Sequence, residues 1–354
     1  MMYFGYAMLA FVITVVITPI IRYFAFRVQA VDVPRPPRNL HSHTIAKLGG
    51  LAVFFGIGLA TLVYVYFGGI DPLVVPFRFV WAMLIGGAVL MIGGFLDDKY
   101  DLSPQILIIF PLITSLIVVL SGIGVGIKEI SNPFGSPLSL DFAVLGIPAS
   151  GIFIFLWMMG MMFTTKFLDG LDGLVAGVGL IAGLTLFALS LTESVNQPIT
   201  ASFAIILVGS LAGYLIYAFH PASIFLGEGG STLIGFVLGV LSVILGGKIA
   251  TALLVMGIPI LDVAWVITQR LWSGKSPFRG DRLHIHFKLI DLGFTQKQTV
   301  LLLYSLSAGF GFTAVFLQSM GKLVAFGIML SIMVLLVIVV VRMYQKKKLQ
   351  ILTK

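Results

Sequence analysis

The chain contains no cysteine, which excludes disulfides, thiolate metal ligands and thiol nucleophiles and leaves the redox compartment undetermined. Charge is scarce: Asp, Glu, Lys and Arg make up 10% of the 354 residues, against 59% hydrophobic ones. That balance excludes the broad wet surface of a soluble protein and any separate soluble domain. No basic region precedes the first apolar run, MMYFGYAMLAFVITVVITPIIRYFAF, and no small-residue cleavage site follows it. The run therefore reads as a membrane span and not as a secretory signal. Internal repeats and low-complexity tracts are missing too. The formal net charge of +8 does not point to nucleic acid, because the basic residues are sorted by loop and form no stripe interleaved with aromatics.

What is present is a succession of apolar windows of about 20 residues. They fall at 4–24, 48–67, 78–96, 105–122, 147–165, 172–192, 199–218, 231–247, 249–270, 299–318 and 322–342. The pattern predicts an all-α polytopic membrane protein of about 11 spans, or 10 if one of two weak joins merges. Those joins are Gly246-Gly247-Lys248 and the acidic stretch TTKFLDGLDGLVAG, 164–177. With the N-terminus outside, 18 of the 22 Lys and Arg face the cytoplasm, leaving Arg78, Lys128, Lys248 and Lys322 outside, as the positive-inside rule requires. Residues 1–354 form one integral membrane domain, with a cytoplasmic loop over 271–298 and a basic tail over 343–354 that acts as a stop signal beside anionic lipid. Between Gly122 and Gly146, KEISNPFGSPLSLD predicts a short extracytoplasmic hairpin.

On that topology four polar stretches share the inner face: FLDDKYDLSP (95–104), FLDGLDGL (167–174), FLGEGGSTLIG (225–235) and SPFRGDRLHIHF (276–287). Asp262 is embedded in the ninth span toward the same side. Each stretch alone has an ordinary reading. Asp97, Asp98 and Asp101 suit a solvated loop. Asp169 and Asp172 suit the first turn of a helix, and the glycines around Glu228 suit a turn. Together they say more. Adjacent carboxylates repel and are best tolerated beside a cation. Mg²⁺ takes one or two carboxylates plus phosphates and water, and a glycine-rich turn opening a helix is a phosphate site. A carboxylate inside such a turn makes sense if a metal lies between it and the anion. His284 and His286 lack the third protein ligand a zinc site wants, and with Arg279 and Arg282 they suit a diphosphate better. The combination describes Mg²⁺-dependent phosphoryl chemistry at a membrane face.

In that order and on that face, the four stretches resemble the polyprenyl-phosphate N-acetylhexosamine-1-phosphate transferases of the glycosyltransferase family 4 type. The likeness runs from VDVPRPPRNLHSHTIAKLGG (31–50) through the ninth span. Such enzymes transfer a sugar 1-phosphate from a UDP-N-acetylhexosamine to undecaprenyl phosphate, release UMP and so begin a cell-envelope glycan. The resemblance implies Asp97, Asp98, Asp169 and Asp172 as catalytic residues, Asp97 deprotonating or orienting the lipid phosphate. It implies Glu228, Asp97 and Asp98 as ligands of Mg²⁺, with Mn²⁺ able to substitute. His41, Lys47, Asp101, Lys166, Gly229, Ser231, Arg279, Asp281, Arg282, His284 and His286 would contact substrates, with the loop from Arg38 to Lys47 closing the site. A homodimer in the plasma (inner) membrane, with a cytoplasmic active site, is implied as well.

The chain departs from the family pattern at four positions. Glu228 stands where Asp is usual, Lys166 and Phe163 where two asparagines are usual, and Phe287 where the motif HIHH ends. The loop DRLHIHF is more similar to the branch using UDP-N-acetylglucosamine for O-antigen, common-antigen and teichoic-acid linkage units than to the peptidoglycan branch, phospho-N-acetylmuramoyl-pentapeptide transferase, with its three consecutive histidines. Two other classes share single features. A secondary transporter would also be polytopic, but would place its ionisable groups near mid-membrane. A soluble prenyl diphosphate enzyme would share the paired aspartates of DDKYD without the spans.

Overall fold

In hydrocarbon an apolar segment satisfies its backbone polar groups within its own helix, and the fold follows that rule. The computed structural model describes residues 2–34, 43–130, 136–144, 146–244, 249–274, 283–317 and 319–352. Its helices are α1 (Met2–Val28), α2 (Gly49–Tyr66), α3 (Phe77–Tyr100), α4 (Pro104–Leu107), α5 (Ile109–Ser121), α6 (Ala149–Leu168) and α7 (Leu174–Ser190). They continue with α8 (Pro198–Ala218), α9 (Gly227–Ile244), α10 (Ile249–Val255), α11 (Gly257–Trp272), α12 (Ile285–Leu292), α13 (Gln296–Phe316) and α14 (Ser319–Leu352). The chain is thus an all-α, multi-pass membrane protein.

Among the described residues, eight helices are long and apolar enough to cross a membrane, or nine if a bent pair counts as one span. That is fewer than the eleven expected. The difference lies in α7 and in the Met320–Leu335 portion of α14, which are apolar but shorter. The window 249–270 is not one straight span either, since α10 and α11 meet at 77°. Pro259 has no N–H to give the carbonyl of Val255, and Gly257 frees the backbone just before it, so the helix breaks there. The fifth and sixth spans stay separate, because Asp169–Gly173 is a turn between α6 and α7; the join at 246–248 lies outside the described residues.

Strands are few. β1 (Val31–Asp32) pairs antiparallel with β2 (Ile45–Ala46), Val31 opposite Ala46. Where one hairpin was expected between α5 and α6 there are two antiparallel ladders, β3 (Glu129–Ile130) with β4 (Leu138–Ser139) and β5 (Ala143–Val144) with β6 (Ile147–Pro148). In the segment expected as the basic tail, α14 continues as helix to Leu352. Within 271–298, α12 forms a helix and 275–282 lie outside the described residues.

The axis of the bundle is α9, whose span is 83% buried, whereas α1 at the lipid rim is 17% buried. Small residues bring its neighbours close. A Cβ on Gly94 of α3 would overlap the backbone of Gly229, and one on Gly50 of α2 would overlap Gly230. The first turn of α9 is therefore clamped between α2 and α3 at backbone contact, as small residues permit in membrane helices.

Candidate active site

That clamp brings the polar stretches together. Asp97, Asp98 and Asp101 end α3, Asp169 and Asp172 flank the turn after α6, and Glu228 opens α9; all six line one cleft of about 780 Å³. Backbone pairing adds a lysine. Phe225 N–H donates to Ala46 O (2.8 Å), Gly49 N–H to Phe225 O (2.9 Å) and Gly50 N–H to Leu226 O (2.8 Å). This short seam holds Lys47 in the cleft with its ammonium 3.8 Å from Asp98 Oδ1. Gly227 at its end has φ +72°, and any side chain there would strike the Asp98 carboxylate.

The acids are not alike. Asp98 is 9% exposed, while Asp97 is half-buried and accepts from Leu102 N–H (3.1 Å). Asp101 terminates α3 in the left-handed conformation, φ +54°. Glu228 is held by Lys166, Nζ to Oε1 at 2.6 Å. Asp172 takes His220 Nδ1 at 2.7 Å and the Ala222 N–H at 3.1 Å on one oxygen. Asp169 is exposed on the wall of the cleft, with protein packed densely around it. Desolvation by that surrounding protein, then the charges of Glu228 and Asp172, push its carboxyl up to about 7, and its exposure screens part of the shift.

Gly229 and Ser231, expected to contact substrates, also carry contacts within the fold. Gly229 does not line the cleft but packs on Gly94. Ser231 lines the cleft, with its hydroxyl donating to Gly227 O and Glu228 O of its own turn.

His284 and His286 sit behind the cleft. Asp262 is 4% exposed, accepting from His284 Nδ1 (2.8 Å) and from Ile285 N–H (2.9 Å), the opening of α12. His286 is fully buried, stacked on His284 at 5.5 Å and 9°. A Cβ on Gly170 would overlap His286 Nε2, so this corner braces the LDGLD turn from the rear. Phe287, next along, does line the cleft. His41, Arg279, Asp281, Arg282 and the part of the Arg38–Lys47 loop over 38–42 lie outside the described residues.

Sequence reasoning missed His220, Tyr214 and the role of Asp262. Tyr214 is fully buried, donates to Ile224 O (3.1 Å) and lines the cleft. No spacing signal links His220 to an aspartate 48 positions earlier; only the fold does.

Among the described residues no three His, Asp or Glu side chains form a ready metal cage. A Mg²⁺ site needs less, since one or two carboxylates plus substrate phosphates suffice. Neighbouring Asp97 and Asp98 on the cleft wall offer such a donor set. Glu228, expected as a third ligand, carries an ammonium partner in Lys166.

Comparison with known proteins agrees with this geometry. The glycosyl transferase family 4 model matches residues 80–246, which contain α3, the LDGLD turn and α9. The chain is 29% identical over 310 residues to a probable undecaprenyl-phosphate N-acetylglucosaminyl 1-phosphate transferase of Bacillus subtilis, covering 86% of this chain and 82% of that protein. It is 30% identical over 318 residues to a decaprenyl-phosphate N-acetylglucosaminephosphotransferase of Mycolicibacterium smegmatis, covering 83% and 77%. To a phospho-N-acetylmuramoyl-pentapeptide-transferase of Staphylococcus aureus it is 28% identical over 326 residues, covering 87% and 97%. Matched through the segments that build its acidic cleft and along most of its length, the chain belongs to glycosyl transferase family 4, among the polyprenyl-phosphate N-acetylhexosamine-1-phosphate transferases.

Proposed function

We propose that the cleft transfers N-acetylglucosamine 1-phosphate from its UDP-activated form to undecaprenyl phosphate, releasing UMP. The observation that carries this reading is the convergence of Asp97, Asp98, Asp169, Asp172 and Glu228 with Lys47 and Lys166 in one cleft at the end of a membrane bundle. The relatives from Bacillus subtilis and Mycolicibacterium smegmatis, named for this chemistry on polyprenyl phosphates, support it.

An anionic acceptor must approach an anionic diphosphate, so the site has to offset their repulsion and hold nucleophile and leaving group in line. A phosphate monoester is largely ionised near pH 7, so positioning counts for more than a strong base. Lys47 and Lys166 contribute positive charge on two sides of the cleft. Asp97, half-buried at the end of α3, is the residue assigned to orient the acceptor phosphate. Asp172, fixed by His220 and the Ala222 N–H, keeps the LDGLD turn in register with α8. Mg²⁺, held by Asp97 and Asp98 with substrate phosphates, would neutralise charge developing on the phosphoryl oxygens.

The test is to incubate the purified protein with undecaprenyl phosphate, Mg²⁺ and a panel of UDP-sugars that includes UDP-N-acetylmuramoyl-pentapeptide, and to detect UMP. Release with UDP-N-acetylglucosamine is expected. Release only with the muramoyl-pentapeptide donor moves the protein to the peptidoglycan reaction, and no release with any donor defeats the transferase reading.

The asymmetry of Lys and Arg between loops supports a cleft that opens to the cytoplasm of a cell whose plasma membrane it spans. Because the chain has no cysteine, single cysteines test this directly. A thiol at Ser136 should label in intact cells, and one at Ser273 only after permeabilisation. The reverse pattern inverts the topology.

A further inference from the structure

Phe163 and Lys166 lie three residues apart on α6 and so share a face. The Lys166 ammonium is 2.6 Å from Glu228 Oε1 and 5.6 Å from the centre of the Phe163 ring. Its positive charge also acts on Asp97. The Lys166 and Glu228 side chains keep only 23% and 17% of their accessible surface, so this is not a solvated pair of drifting geometry. Backbone packing sets the span between them. A Cβ on Gly235 of α9 would overlap Met161 O of α6, and Gly239 rests on Met158.

We propose that Lys166 is a resident counter-cation of the site: it commits Glu228, so that a divalent ion binds on the Asp97–Asp98 side of the cleft and not at Glu228. A divalent ion taking Glu228 would have to evict an ammonium already in contact with it, or sit beside that ammonium against like-charge repulsion. Phe163 holds the ammonium from a second direction, as an aromatic face attracts a cation. These three residues are three of the four at which the chain departs from the pattern it resembles, and in the fold they form one interacting unit. The proposal builds on the transferase reading for what the cleft does, but its test requires no turnover.

The experiment is a Mn²⁺ titration of the purified full-length protein in lipid nanodiscs, read by loss of the free Mn²⁺ paramagnetic resonance signal, with thermal unfolding as a folding control. Glu228→Gln should change Mn²⁺ affinity less than about twofold while lowering the unfolding temperature, since a carboxylate already neutralised is no ligand. Lys166→Asn should tighten Mn²⁺ binding at least about fivefold by releasing Glu228, and adding Glu228→Gln to it should cancel the gain. Lys166→Gln repeats that arm if the Asn variant fails to fold. A loss of about tenfold or more in Glu228→Gln, or no gain from either Lys166 variant, overturns the proposal. If the wild type binds no Mn²⁺ in range, appearance of binding in the Lys166 variants supports the proposal and its absence overturns it. UMP release by the same wild-type preparation reports separately on the transferase reading.

Discussion

Two polar regions stand back to back in this bundle, separated by little more than Gly170. In front, seven carboxylates and three lysines line a cleft of about 780 Å³. Behind, Asp262 and His284 meet within 2.8 Å at 4% and 5% exposure, and the space beside Asp262 is about 10 Å³, room for about one water. From the sequence both regions lie toward one membrane face, with His284 and His286 expected to contact substrate beside the acids. In the fold, only the front has space for a substrate. The rear places a buried acid against a histidine and a helix N-terminus, which ties α11 to α12 and supports the turn that carries Asp169 and Asp172. A buried carboxylate hydrogen-bonded through both oxygens, as Asp262 is, specifies a structure, whereas polar groups left facing a cavity are available for chemistry.

The sharpest way to break this contrast is Asp97→Asn. It should lower UMP release by about 100-fold or more, since it removes charge at the acceptor without a packing change, and the unfolding temperature should stay put. Unchanged turnover in the folded variant would take Asp97 out of the reaction. Asp262→Ala should act the other way round. Removing a buried acceptor of two hydrogen bonds costs about 3 kcal/mol of stability. The folded fraction should still turn over with a KM close to that of the wild type. Thermal unfolding beside steady-state kinetics separates the two outcomes, and a folded, stable Asp262→Ala with no activity would move Asp262 to the front region.

Gly170→Ala probes the partition itself. Its new methyl would press on His286, which is fully buried and cannot retreat, so a loss of about 1–3 kcal/mol is expected, together with reduced turnover from a displaced LDGLD turn. A neutral result in both readouts would mean that the two regions are not mechanically joined. The smallest effect is a pH dependence in the metal-free protein. Asp169 rises from 3.8 to about 7 in the fold, so between those values the folded state binds more protons than the unfolded one. Stability contributed by the neutral form is therefore present at low pH and lost as pH rises through about 7. Asp169→Asn should flatten that slope between pH 4 and pH 7, seen as unfolding temperature against pH; cleft water keeps the effect small. A slope unchanged in the variant assigns it to another group.

Much of this was legible from the chain alone. Apolar length marks a membrane helix because hydrocarbon forbids unsatisfied backbone, so the described part of each expected window is mainly helical. The aspartates of FLDDKYDLSP and FLDGLDGL announced themselves because carboxylates are scarce and costly near lipid. The convergence of Asp97, Asp98, Asp101, Asp169, Asp172 and Glu228 was likewise foreseeable from loop parity. Partnership was not. That His220 holds Asp172, that Asp262 holds His284, and that Lys166 faces Glu228 depend on how α6, α8, α9, α11 and α12 pack, over separations from 22 to 62 residues that carry no periodic signal. The bend between α10 and α11 escaped for a similar reason, because hydropathy registers length and not direction. Composition decides which segments leave water; close contact at glycines such as Gly50, Gly94 and Gly235 decides which side chains then meet, since a single methyl at those points would hold the helices apart.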